Sequence, residues 1–374
     1  MVTLFLCGDV MTGRGIDQIL AHPCPPGIQE PYVRDARDYV ALAEQANGPI
    51  TRPVAPAYIW GDAIAELKRI APDARIVNLE TSVTTSDDFW PGKGIHYRMH
   101  PRNIDCLTAA GVDVCVLANN HVLDYGRAGL DETIATLVDA GLKVTGAGAS
   151  IDQARQPAII DVGNEGRILV FAVGAENSGI ARTWAATTAA SGVDLLRDFS
   201  DASADALLAR VRSRKRHGDV AVVSIHWGDN WGYEVPDAHI LFAHRLLDDS
   251  VDLVHGHSSH HPRPMEIYKD KLVLYGCGDF LTDYEGITGD EEFRDDLVLM
   301  YFPRLHSHTG ELIELQMTPL QIRRMQLVRA SVPDRDWLRQ RLIDVSKDFG
   351  CDVVFGADKA TLEVRRLSPS PATK

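Results

Sequence analysis

With 374 residues, the chain is longer than one small core requires, so it holds either one large α/β domain with appendages or two domains. Hydrophobic residues make up 45% and charged residues 24%, an ordinary globular balance. The net charge of −14, with no basic run longer than "RSRKR" at 212–216, excludes nucleic acid as the main partner, since phosphate binding needs a basic face, but leaves an anionic substrate open.

The amino terminus, "MVTLFLCGDV", has no basic leader, and its apolar run is too short for a signal peptide or a membrane span. It reads as a first strand over 2–7, followed by Asp9. Residues 22–60 are rich in proline and aromatics and read as a structured insertion of the kind that forms a lid. A helix at 61–70 leads to a strand at 75–79, where "RIVNLETS" delivers Asn78 and Glu80. A helix at 103–110 and a strand at 112–117 follow, and "VCVLANNHVLDYG" then places Asn119, Asn120 and His121 together. Helix 127–140, strands 143–146 and 167–173 and helix 201–213 continue the alternation. The next strand, 219–226, ends on His226 within "VAVVSIHWGDNWGYE". After helix 237–249, the strand 252–255 opens "VDLVHGHSSHHPRP", with four histidines (255, 257, 260 and 261) in seven positions.

Strand–helix alternation predicts parallel sheets with covering helices. From residue 255 the pattern changes to consecutive strands at 265–268, 272–276, 297–302 and 311–318. A Lys-Asp turn between the first two predicts an antiparallel pair. Helix 334–348 precedes a polar tail, 367–374, expected to be disordered. The six cysteines (7, 24, 106, 115, 277 and 351) show no CxxC spacing and most lie in apolar segments, which predicts buried free thiols and a cytoplasmic setting.

Polar residues thus fall at the carboxyl ends of five predicted strands, the edge where open α/β sheets bind ligands. Singly, each has an ordinary explanation: Asp9 as a helix cap, the asparagines as turn formers, His226 as a core histidine. Together, Asp, Glu, Asn and several imidazoles make a mixed nitrogen–oxygen shell that suits a divalent transition metal.

In order, Gly8-Asp9, Asn78-Leu79-Glu80, Ala118-Asn119-Asn120-His121, His226-Trp227-Gly228 and Gly256-His257-x-x-His260 resemble the CapA-like poly-γ-glutamate capsule-synthesis family, within the calcineurin-like metallophosphatase superfamily. The similarity runs from about Val2 to about Phe302. "HGHSSHHPRP" and "YGCGDF" also resemble a subgroup of accessory proteins of poly-glutamate or poly-glutamine synthesis. The resemblance implies an α/β fold, a four-layer α/β/β/α sandwich of the metallophosphatase type with mixed sheets. On it we expect a domain over 1–305 carrying the lid at 22–60, with a small α+β strand–helix–strand extension at 306–366. Carried over residue by residue, the metal ligands are Asp9, Glu80, Asn120, His226, His257 and His260, holding one or two ions of Mn, Zn or Fe. His121 is the implied proton donor. Phosphatases of the superfamily begin Asp-x-His, whereas Asp9-Val10-Met11 leaves one ligand out, and Asn78-Leu79-Glu80 stands in place of Gly-Asp-x-x-Asp.

Three functions follow as expectations. In the first, a metal-dependent hydrolase acts on an amide or γ-glutamyl bond of a peptide or poly-glutamyl substrate, with no membrane span. His255 or His261 orients the leaving group, and Arg14, Arg98 and Arg263 grip a carboxylate. In the second, no metal is needed: Asp9 and a histidine such as His260 move a proton at a peptide α-carbon, as an epimerase does. Trp227, Trp231 and Tyr233 then line the pocket. The third is a non-catalytic accessory protein of polymer synthesis.

Overall fold

Strand Val2–Val10 sets the architecture, because it is apolar on both faces. Leu4 and Leu6 point one way, Phe5 and Cys7 the other, and all are buried. A strand of this kind must be covered on both sides. The computed structural model describes residues 1–367; beyond Leu367 the expected tail lies outside the described residues.

Two mixed sheets face each other. In the first, Val2–Val10 lies parallel to Ala74–Leu79, which is followed by Val114–Val116 and Lys143–Thr145. On its other side the antiparallel strands Leu297–Leu305, Leu312–Arg323, Leu362–Arg366 and Cys351–Phe355 extend the same sheet. The carboxyl-terminal segment is therefore hydrogen-bonded into the sheet, and helix Val332–Ser346 adds Leu338 and Leu342 to the core between the sheets. The second sheet runs Met265–Tyr268, Lys271–Leu274, Leu253–His257, Val220–His226, Arg167–Gly174, Ala158–Asp161. Its Lys269-Asp270 turn has positive φ at both positions, matching the expected tight hairpin.

Leu4, Leu6, Ile76 and Val116 of the first sheet meet Val170, Val220, Val222 and Leu253 of the second in one core. The outer faces are covered by helices. Helices Arg37–Asn47, Ala63–Ile70 and Gly126–Asp139 pack on the first sheet, and Asp201–Arg214 and Asp237–Leu247 on the second. The result is the expected four-layer α/β/β/α sandwich. Helices not read from the sequence form at Arg14–Ile19, just before the insertion, and at Arg37–Asn47 within it. The expected helix at 103–110 is a short turn, Pro101–Asn103, followed by Asp105–Thr108. All six cysteines are buried free thiols, and among the described residues no helix is long and apolar enough to cross a membrane.

One contact positions the site. Cys-Gly-Asp occurs at 7–9 and again at 277–279, and the two copies pair, with Asp9 opposite Asp279. Asp9 N donates to Gly278 O at 3.0 Å. A Cβ on Gly8 would lie 1.5 Å from that same carbonyl oxygen, so only glycine permits this approach.

Candidate metal centre

Parallel strands of both sheets deliver their carboxyl ends to one place. Asp9, Asn78 and Glu80 come from the first sheet, with Asn119, Asn120 and His121 following strand Val114–Val116. His226 and His257 are the last residues of adjacent parallel strands and pair in register. Asn78 Nδ2 donates to Asp9 Oδ1 at 2.7 Å and to Glu80 Oε2 at 3.3 Å. Asn119 Nδ2 donates to Asn78 Oδ1 at 3.0 Å, so these amides brace the carboxylates from behind. Glu80 Oε1 lies 3.7 Å from His121 Nε2 and 3.9 Å from His226 Nε2.

A relay through the second sheet fixes the histidine tautomers. His255 Nε2 lies 2.8 Å from the Cys7 carbonyl, which can only accept, so Nε2 carries the proton. Burial holds this imidazole down at about 4, so the ring is neutral and its Nδ1 accepts from Ser224 Oγ at 3.0 Å. The Ser224 oxygen in turn accepts from His257 Nε2 at 2.9 Å. His257 Nδ1 is left with a lone pair. On the facing strand, His226 Nε2 donates to Asn120 Oδ1 at 3.1 Å, so His226 Nδ1 also bears a lone pair. The two Nδ1 atoms are 2.8 Å apart, and His257 Nδ1 is 3.9 Å from Asp9 Oδ1.

Two lone pairs at that separation repel unless a cation or a shared proton lies against them. Burial first, and then neighbouring imidazoles, push His226 and His257 well below the usual histidine range. Burial and the nearby Asp279 carboxylate raise Asp9 to about 7, while burial and Asp9 raise Glu80 well above its ordinary value. Acids driven toward the neutral form, beside imidazoles driven toward the free base, are a donor set that a buried cation suits. Asp9, His226 and His257 each offer one ligand atom within 4.8 Å of the others, and all three are buried. These residues fit a divalent metal, and Glu80 and Asn120 stand beside them.

His121 is oriented from outside this centre. Its Nδ1 lies 2.7 Å from Asp124 Oδ2 and 2.9 Å from Lys93 Nζ, and Lys93 also pairs with Asp124 and donates to the Asn120 carbonyl. Burial, reinforced by Lys93 and opposed by Asp124, lowers His121 to about 4. Its Nε2 is the ring nitrogen facing Glu80.

His260 sits apart from the pair of facing imidazoles. Its Nδ1 is 2.9 Å from Asp279 Oδ1, and Asp279 Oδ2 is buried with no partner among the described residues. Burial disfavours the charged ring, but Asp279 outweighs it and raises His260. His260 lines a cavity of about 500 Å³ together with Trp231, Tyr284 and, from the insertion, Glu30, Tyr32 and Tyr39.

The arginines have partners of their own. Arg14 lines the cavity but is held by Glu30 and Asp283. Arg98 donates to the Ser86 carbonyl and to Asp87, both at 2.6 Å, and stacks over Tyr125. Arg263 donates to the backbone carbonyls of Asp229 and Glu234 and ties down the Trp231 loop. Trp227 does not reach the cavity: it is core, stacked on His239, with Nε1 donating to Tyr275 O at 2.9 Å. His255 lies behind the centre as part of the relay. His261 packs against Tyr233 and Phe293.

Sequence reasoning missed Lys93, Asp124, Ser224 and Asp279. For Asp279 a signal was present, since "CGD" repeats that of Asp9. Ser224, a lone hydroxyl inside the apolar run "VAVVSIH", was another.

Comparison with known proteins finds relatives over most of the chain. The family described as "Bacterial capsule synthesis protein PGA_cap" matches residues 3–284. A probable polyglutamine synthesis accessory protein of Mycobacterium tuberculosis (strain H37Rv) is 50% identical over 359 residues, covering 96% of this chain and 94% of the relative. The PGA biosynthesis protein CapA of Bacillus subtilis is 26% identical over 72% of this chain and 67% of its own length. The capsule biosynthesis protein CapA of Bacillus anthracis is 25% identical over 86% of this chain and 67% of its own. From the first strand through the strand that carries Asp279, the chain belongs to the bacterial capsule synthesis protein family.

Proposed function

We propose that this chain is a metal-dependent hydrolase or amide-processing enzyme acting on an amide or γ-glutamyl bond during poly-glutamate or poly-glutamine synthesis. The polymer is suggested by the names of its relatives. The chemistry rests on one observation: two fixed-tautomer imidazoles, His226 and His257, turn lone pairs toward each other beside Asp9. A divalent ion bound there would polarise a carbonyl and lower the pKa of a bound water toward neutrality. Asp9, His226 and His257 would hold it, with Glu80 and Asn120 adjoining.

His121, oriented by Asp124, carries a proton between the attacking water and the leaving amine. Trp231 and the 22–60 insertion act as a lid that sets substrate size and excludes water. The test is metal analysis of the purified chain, followed by turnover of γ-glutamyl and glutaminyl peptides with and without added manganese or zinc. Release of amine that stops on chelation and returns with metal supports the reading. Stoichiometric metal without turnover would instead favour an accessory role.

A second reading has its own observation. His260, backed by Asp279 and facing the cavity, with Asp9 nearby, is an acid/base group that needs no metal. Deuterium entering a peptide α-carbon in heavy water after exhaustive chelation would establish an epimerase in place of the hydrolase.

A further inference from the structure

The cavity beside His260 has a charge that does not match a poly-glutamate chain. Arg14 is its one arginine, and that guanidinium is already spent: Nη1 donates to Glu30 and to Tyr39 Oη, each at 3.1 Å, and Nε donates to Asp283 at 3.1 Å. Glu30, Asp290, Glu291 and Asp295 also line the cavity. Among the described residues the last three carboxylates make no ion pair and no hydrogen bond to another residue. Behind His260, Asp279 Oδ2 is an acceptor with no hydrogen-bond partner among the described residues. The rest of the wall is mostly aromatic or aliphatic, with Asn230 and Thr288 as neutral polar members. Trp231 and Tyr284 flank the His260 ring at 5.3 and 5.5 Å between centroids. Tyr32 (97% exposed) and the exposed Ile95 and Ile287 form an apolar lip.

From this combination we infer that the cavity receives a primary ammonium group carried on a chain with uncharged side chains, and turns away a free polycarboxylate. An ammonium suits both features, since carboxylates and aromatic faces each attract a cation in a partly desolvated cleft. Burial and the neighbouring Asp279 and Asp296 lift Asp295 to about 7, a strain that an incoming cation relieves. A chain bearing one carboxylate per residue meets like charge at each of these walls, which is discrimination by repulsion. Amidated side chains, as in poly-glutamine, avoid that repulsion and leave methylenes for the apolar lip. The amino end of such a peptide would lie beside His260. This inference rests on the proposed function only in taking the cavity as the substrate's way in.

Calorimetric titration of the full chain tests it with three probes: tetra-L-glutamine with a free amino terminus, its N-acetylated form, and tetra-L-glutamate. Acetylation should weaken binding about tenfold or more, and the glutamate peptide should bind weakest, most so at low salt. The double variant Glu291→Gln/Asp295→Asn should lower affinity for the free-amine probe about tenfold while the unfolding temperature of the parent chain is retained. Equal binding of the acetylated probe, tighter binding of the glutamate peptide, or no binding of any probe at millimolar concentration would overturn the inference. Because the readout is binding, a chain that binds as expected but never cleaves defeats only the hydrolase reading.

Discussion

His226 and His257 face each other through Nδ1 atoms 2.8 Å apart, each with its other nitrogen committed to a partner on its far side. This pair predicts metal-linked stability. Zinc or manganese should raise the unfolding temperature, since a ligand that binds only the folded state at a hundredfold over its Kd contributes about 2.7 kcal/mol. His226→Ala and His257→Ala should abolish the rise. A titration followed by differential scanning calorimetry reads it directly, and an unchanged Tm in the parent chain would remove the metal from the picture.

Ser224 links two imidazoles and touches no proposed ligand atom. Replacing it by alanine leaves His255 Nδ1 and His257 Nε2 buried without partners, at a cost of roughly 1–3 kcal/mol. With its tautomer no longer fixed, His257 should bind metal about 10- to 100-fold more weakly. Ser224→Thr keeps the hydroxyl and should recover affinity if the branch is accommodated. The check is metal affinity by competition with a chromophoric chelator, with urea unfolding measured beside it.

The two tryptophans of "HWGDNWGYE" should part company. Trp227 is core, so Trp227→Ala should cost about 3–5 kcal/mol in chemical denaturation. Trp231 is half-buried on the cavity wall, and Trp231→Ala should leave stability nearly unchanged while altering peptide binding. Similar destabilisation by both would mean that the Trp231 loop is part of the folding core.

Glu66 gives a pH dependence remote from the site. Burial opposes its charge, but hydrogen bonds from Arg69, Thr318 and Arg329 outweigh that and hold the carboxyl at about 2, against an ordinary 4.5. A depressed carboxyl contributes stability in full above its unfolded value and loses it as pH falls from about 4.5 toward 2. Glu66→Gln should therefore be less stable than the parent at pH 7, by roughly 1–3 kcal/mol, with the gap closing below pH 4. Urea unfolding of both chains from pH 7 to 3 measures it; a gap independent of pH would assign the loss to packing.

The four-layer sandwich was legible through the family resemblance, and the strand ends through local pattern, because buried strands announce themselves twice, by apolar runs and by the polar residues that stop them. Asp9, Glu80, Asn120, His226 and His257 all fall at such stops. Partners brought by distant loops left no local trace. Arg14 looked like a substrate grip because Asp283, which engages it, lies near the other end of the family match. Arg263 seemed free because its acceptors are backbone carbonyls, which no side-chain pattern records. Strand Asp279–Leu281 is three residues long, too short for a period to show. Trp227 and Trp231 were indistinguishable by composition; the left-handed turn at Gly228 separates their surroundings.

The pairing of the two Cys-Gly-Asp segments also bears on how the protein is made. Val2–Val10 is made before the rest of the sandwich, yet two of its three strand partners, Asp279–Leu281 and Leu297–Leu305, are among the later strands to emerge. Until then the nascent chain carries an apolar strand with an unpaired edge, the kind of segment that joins other chains when it waits too long. Asp9 meets Gly278 only once most of the chain has been synthesised. A fragment ending before residue 277 would lack Asp279 and the backbone against which Gly8 closes. Site assembly thus waits for the strand that carries Asp279, and folding should be slow because contacts of the central strand span some of the longest separations in the sequence.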